Sequence, residues 1–234
     1  MKPRASSQKR GVFHLRGTPD ATVQPVRLLA FNKPYGVICQ FTRDGVHSAL
    51  ADFIDVPDVY PAGRLDTDSE GLLLLTNHGP LQHWISNAQT KPKPAGARHD
   101  SAPAKFPPKP GRKSLRKTYW VQVEGEPTPD AIERLCAPLD LGDFTTQASQ
   151  ARRIGEPAGL WPRHPPIRHR ALIPATWLEI TLTEGKNRQV RRMTAKIGYP
   201  TLRLIRASIG SVTLNGLEPG QWRDVSLSEI GYSA

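Results

Sequence analysis

Two stretches of this 234-residue chain cannot contribute to a core, and they decide how much of it must fold without them. Residues 1–16 hold five basic residues (Lys2, Arg4, Lys9, Arg10, Arg16) and no acid. Residues 89–116 hold eight basic residues, one Asp and six prolines. Neither shows apolar periodicity, and neither can bury enough surface to offset the entropy of ordering. The prediction is a disordered basic tail over 1–25 and a domain over 26–234 interrupted by a disordered Pro/Lys-rich insertion at about 89–116. The two segments carry +5 and +7 against a net charge of +11, which leaves about −1 for everything else. As solvated segments they need no function; as flexible arms they would contact phosphates without reading sequence.

The remainder is polarised as well. Residues 17–88 have four basic and eight acidic residues, whereas 186–206 have seven basic residues and no acid. The positive balance makes an acidic small molecule a poor sole partner and a polyanion a good one. No apolar run approaches the ~18 residues of a membrane span, the longest Leu run being Leu72–Leu75. The basic N-terminus has no apolar segment behind it, which excludes a secretory signal. Cys39 and Cys136 are too few for a disulfide scaffold or a zinc cage. A soluble, cytoplasmic protein of a reducing compartment is expected.

Apolar patterning places strands at Val26–Phe31, Leu72–Thr76, Lys117–Gly125, Trp177–Thr183, Leu202–Ile205 and Val212–Leu214. Val37–Phe41 reads as a continuation or partner of the first strand, after a turn at Asn32–Gly36. Helices are predicted at Ser48–Ile54, from Leu81 onward, from Thr128 or Pro129 through Leu135, and at Asn187–Ile197, the last stopped by Gly198 and Pro200. Strands and helices mingle without a regular βαβ repeat, so the fold class is α+β with a mixed, largely antiparallel sheet.

Three constellations can carry chemistry. In the Asn187–Ile197 helix, Val190, Met193 and Ile197 form an apolar face, while Arg188, Arg191 and Arg192 fall at i, i+3 and i+4 on another. Like charges so close call for phosphates, a carboxylate or both; otherwise the face is merely solvated. Asp66 lies in a polar, glycine-bounded loop before a very apolar strand. A basic partner would hold it ionised as a nucleophile or base, although Asp in such a loop also serves as a turn or capping residue. Its neighbours Asp68, Ser69 and Glu70 read as turn chemistry. Tyr119 shares a strand face with Val121 and Val123, which makes it a core tyrosine or a stacking platform for a base. There is no HExxH, no histidine ligand cluster, no P-loop and no GxGxxG, so neither a metal nor a nucleotide cofactor is expected.

In this order, GRLDTDSEGLLLLTNHG (Gly63–Gly79), KTYWVQVEG (Lys117–Gly125) and EGKNRQVRRM (Glu184–Met193) resemble the three motifs of the pseudouridine synthases. The branch is the one typified by the small-subunit synthase A. FNKPYGV (Phe31–Val37) and LRLIRASIG (Leu202–Gly210) match it too, and LWPRHPPIRHRALIPATWLEITL (Leu160–Leu182) points to its large-subunit members. The resemblance covers about residues 26–225. It implies the synthase catalytic fold with an active-site cleft, no cofactor, and isomerisation of a uridine in large-subunit ribosomal RNA after base flipping. Asp66 would be the catalytic aspartate, Tyr119 would stack on the uracil, and Arg191 would form the ion pair that orients and ionises Asp66. Arg64, Lys186, Arg188, Arg192 and Lys33 would contact RNA. A monomer acting on free or assembling ribosomal RNA is expected, without the small N-terminal RNA-binding domain of many relatives. The competing reading is an RNA-binding or ribosome-assembly factor that keeps the cleft but performs no reaction.

Overall fold

The computed structural model describes residues 25–86, 115–167, 173–214 and 216–232; the predicted tail and insertion lie almost wholly outside these. In chain order the strands are β1 (Leu28–Lys33), β2 (Tyr60–Pro61), β3 (Glu70–Thr76), β4 (Lys117–Glu124), β5 (Gln150–Ile154), β6 (Ala175–Leu182), β7 (Thr201–Ile209), β8 (Val212–Thr213) and β9 (Trp222–Asp224). The helices are α1 (Gly79–Ser86), α2 (Pro129–Cys136) and α3 (Gln189–Lys196), with a 3-10 turn at Leu50–Asp52. The strands make one sheet in the order β5-β6-β4-β7-β3-β1-β9, with β2 beside β3 and β8 beside β7. β3 and β7 run parallel at its centre, while the other strand pairs are antiparallel. This is the mixed α+β sheet predicted from the pattern. Among the described residues no helix is long and apolar enough to cross a membrane.

The four leucines explain why β3 is central. All seven of its residues are buried. Leu72 and Leu74 pack in one hydrophobic cluster, Leu73 and Leu75 in another, so the strand has a core on both faces and needs no polar alternation. β4, by contrast, alternates buried and half-buried residues with Tyr119, Val121 and Val123 inward, as its period of two requires.

The central joint is built by backbone contact and by charge. Gly71, at φ +102°, pairs with Arg206, and a Cβ there would stand 2.5 Å from the Arg206 carbonyl oxygen and 2.7 Å from its nitrogen. Gly71→Ala should therefore lower the unfolding free energy by about 2 kcal/mol or more, read from urea denaturation. Next to it, buried Glu70 accepts from Arg203 Nε and Nη2, both at 2.8 Å, and from the Trp161 indole at 2.8 Å. Glu70 is thus a structural anion rather than the turn residue predicted.

Several boundaries differ from the sequence pattern. β1 continues through Asn32 and Lys33 because Asn32 N–H donates to the Gln221 carbonyl and its own carbonyl accepts from Gly220, contacts made 190 residues away in sequence order by the approach to β9. Val37–Phe41 forms no strand; Val37 makes a single bridge with Ser48. The Ser48–Ile54 helix reduces to one 3-10 turn. β5 is not legible in the pattern because QARRI has no buried residue, being an edge strand whose only sheet partner is β6.

Candidate active site

The loop between β2 and β3 is pinned from three sides. The Asp66 carbonyl accepts from Ser69 N–H at 3.0 Å, closing a turn, and the Thr67 carbonyl accepts from Gly36 N–H at 2.8 Å. Arg206, opposite Tyr119 across β4 and β7, donates to the Leu72 carbonyl at 2.7 Å and to the Arg64 carbonyl at 3.4 Å. These bonds hold Asp66 at the rim of a cleft of about 260 Å³. The cleft is walled by Gly63–Asp66, by Lys117 and Tyr119 of β4, and by Gly185–Val190 leading into α3. Tyr119 is 7% exposed, so it is at once a core residue and part of the cleft wall.

The three arginines do not form the single basic face predicted. α3 begins at Gln189, and Arg188 precedes it in the left-handed region at φ +47°, ψ +31°. That costly conformation for a side-chain-bearing residue turns its guanidinium back toward the loop. Arg188 Nη1 lies 3.3 Å from Asp66 Oδ2, and the same side chain holds Asp68 with donations at 3.2 and 2.8 Å. Arg191 donates to the Asp68 carbonyl at 2.6 Å, and its Nε lies 3.4 Å from Asp68 Oδ2, within ion-pair range but without hydrogen-bond geometry. Arg192 points elsewhere, to the Asp143 carboxylate and the Leu141 carbonyl, with its guanidinium 5.0 Å from the centre of the Phe144 ring.

The expected Asp66–Arg191 pair is not a direct contact in this structure. Arg188 makes the direct contact to Asp66, while Arg191 contacts Asp68 and acts on Asp66 through its charge alone. Burial alone would raise the Asp68 pKa, but Arg188 and Arg191 outweigh it and hold the carboxyl below its ordinary range. Burial lowers Arg191 from its ordinary value, with Asp68 opposing that shift. The role of the four-residue stretch from Asp66 to Ser69 is therefore divided: Asp66 faces the cleft, and Asp68 clamps two arginines behind it.

Residues 27–196 match the family described as RNA pseudouridylate synthase. The chain belongs to that family. The ribosomal large subunit pseudouridine synthase E of Vibrio vulnificus is 50% identical to it over 86% of this chain and 76% of that protein. The protein of the same description from Xanthomonas campestris pv. campestris is 46% identical over 84% of this chain and 94% of its own length. A solved pseudouridylate synthase superimposes with a TM-score of 0.65 at 23% identity, covering 89% of this chain and 74% of that one, and so has the same fold.

Within this synthase fold the residues expected at the site fall into three groups. Asp66, Tyr119, Arg64, Lys186 and Arg188 all line the cleft, and Arg64 and Lys186 are exposed. Arg191 and Arg192 stand behind it, tied to carboxylates. Lys33 is a correction. It is fully buried, and its ammonium donates to the Pro34 and Val37 carbonyls at 2.9 and 2.8 Å, so it braces the turn beneath the loop and presents nothing to RNA.

Sequence reasoning passed over Asp68, Lys117 and Arg206. The available signal was the complementarity between the acidic 17–88 segment and the acid-free 186–206 segment, which announces pairing but gives no register. Burial pushes Lys33 down from 10.5 to about 8, and burial together with the neighbouring Arg206 cation does the same to Lys117. In the unfolded chain both lysines keep their protons to about 10.5, so between pH 8 and 10 the unfolded state binds more protons and stability rises with pH. Urea midpoints should therefore be higher at pH 9.5 than at 7.5, and the difference should shrink in Lys117→Met.

Proposed function

We propose that this chain converts a uridine of large-subunit ribosomal RNA to pseudouridine, with Asp66 as its catalytic carboxylate. The observation that carries the reading is the convergence of Asp66, Tyr119 and Arg188 on one cleft of about 260 Å³. The match to large-subunit enzymes at 46–50% identity supports the substrate class. The protein would act in the cytoplasm as a monomer, on free ribosomal RNA or an assembly intermediate.

A uridine in folded RNA offers its glycosidic bond only when turned out of the stack, at a cost of roughly a few kcal/mol. Stacking on Tyr119 and phosphate contacts from Arg64 and Lys186 at the rim offset that cost. Arg188, 3.3 Å from Asp66 Oδ2, orients that carboxyl while the N1–C1′ bond breaks. The uracil then turns in the cleft and is rejoined through C5; C5 gives up its proton and N1 takes one. All heavy atoms of the base are retained, one proton is lost from C5 and one gained at N1, and no electrons are exchanged with an outside partner, so the reaction needs no redox cofactor.

Large-subunit RNA transcribed with 5-tritiated uridine tests this directly. Incubation with the protein should release tritium to a plateau of one uridine per RNA. Binding of that RNA without release would leave an RNA-binding factor in place of an enzyme.

A further inference from the structure

Lys117 is a buried cation for which the fold supplies no counter-ion. It begins β4 two residues before Tyr119, on the same face of the strand, and is 8% exposed. Residues two apart on one strand face stand about 6.6–7 Å apart, close to the width of a pyrimidine ring. Lys117 and Tyr119 both wall the cleft, and the Lys117 Nζ lies 3.7 Å from the position a Cβ would take on Gly185 in the opposite wall. Among the described residues no carboxylate lies within ion-pair distance of that ammonium and no carbonyl accepts from it. The charge that acts on it is another cation, Arg206, 4% exposed, which also lines the cleft and has a buried Nη2 without a hydrogen-bond partner.

Two like charges at the floor of a cleft, neither balanced by a carboxylate, cost folding free energy. The other buried cations of this fold are spent: Lys33 on two carbonyls, Arg203 on Glu70. At the cleft floor Arg206 gives Nε and Nη1 to the Leu72 and Arg64 carbonyls but keeps its buried Nη2 unpartnered, so it and Lys117 leave a positive potential facing the space beside Tyr119. Such a potential is useful to a group that becomes negative only during the reaction.

Resting on the function proposed above, we infer that Lys117 is a further catalytic residue, one that donates to a carbonyl oxygen of the flipped uracil and stabilises the negative charge the base takes up when the N1–C1′ bond breaks, with Arg206 behind it. The electron pair of that bond leaves with the uracil and spreads onto its carbonyl oxygens, while C1′ becomes electron-poor beside Asp66. When C5 bonds to C1′ the same pair forms the new bond, C5 loses a proton and N1 gains one. Lys117 exchanges no atom; its charge matters only while the base carries the pair. The lowered pKa of Lys117 fits a site whose charge awaits a partner.

The test compares wild type, Lys117→Met and Lys117→Arg on a synthetic ribosomal RNA fragment holding the uridine that the wild type converts, and on the same fragment with 5-fluorouridine at that position. Fluorine withdraws electrons, so the fluorinated base needs less help to leave. Single-turnover cleavage of the N1–C1′ bond, RNA affinity and thermal midpoint are read for each. Lys117→Met should slow the uridine reaction about a hundredfold, with affinity within threefold of wild type. The slowing should fall to about tenfold or less on 5-fluorouridine, and Lys117→Arg should recover part of the uridine rate. Equal slowing on both substrates, or no slowing of a folded Lys117→Met, overturns the inference. A wild type that converts no uridine at all instead overturns the proposed function, so the two failures are distinct.

Discussion

Asp66→Asn should reduce pseudouridine formation by about a thousandfold or more, with RNA affinity changed by less than about threefold. Asn keeps the shape of Asp and can still meet Arg188, but it removes the charge that faces the cleft. Asp66 is 37% exposed at its side chain and is held by the Ser69 turn, so the variant has no packing reason to misfold. The informative comparison is Asp68→Asn. That carboxylate holds Arg188 and Arg191 but does not line the cleft, so its loss should slow turnover by about tenfold through misplacement of the loop. Single-turnover rates and filter-binding affinities, measured side by side, check both. Equal losses in the two variants would mean that the chemistry is not specific to Asp66.

The largest effect on stability is expected at the joint of the sheet. Arg203→Met leaves buried Glu70 with the Trp161 indole as its remaining side-chain hydrogen-bond donor and should cost about 3–5 kcal/mol in urea unfolding. The double variant Glu70→Leu with Arg203→Met removes both charges and should recover most of that loss, because the penalty belongs to the unpaired anion rather than to the missing attraction. The same pair touches function. Glu70 is four residues beyond Asp66, so a disturbed β3–β7 joint should also lower the rate in Arg203→Met, and the double variant should restore it in step with stability. A single variant as stable as wild type would show that water reaches Glu70.

Much of this architecture was legible in the residues. The β4 alternation, the Thr128 cap on α2 at 3.3 Å and the Gly198 stop on α3 are local features, fixed by side chains within a few positions of one another. The resemblance of three separated motifs implies that Asp66 and Tyr119 share a site, and both line the cleft. What could not be read were pairings set by distance in space: that Arg188 leaves the helix and takes Asp66, that Arg191 goes to Asp68, and that Lys33 is buried.

The basic tail and insertion together carry slightly more than the whole net charge, and that fact alone pointed to a polyanion. The sequence by itself determined the fold class, through its local apolar patterning, and the family, through the resemblance of its separated motifs; the catalytic role of Asp66 is what that resemblance implies. The tertiary structure decided which cation serves which anion. Those choices turn on a parallel β3–β7 register that lets no side chain stand at Gly71, and on a left-handed residue at the start of α3. The first joins segments more than a hundred residues apart, and the second matters through the contact it makes with Asp66, 122 residues away; no local pattern encodes either pairing.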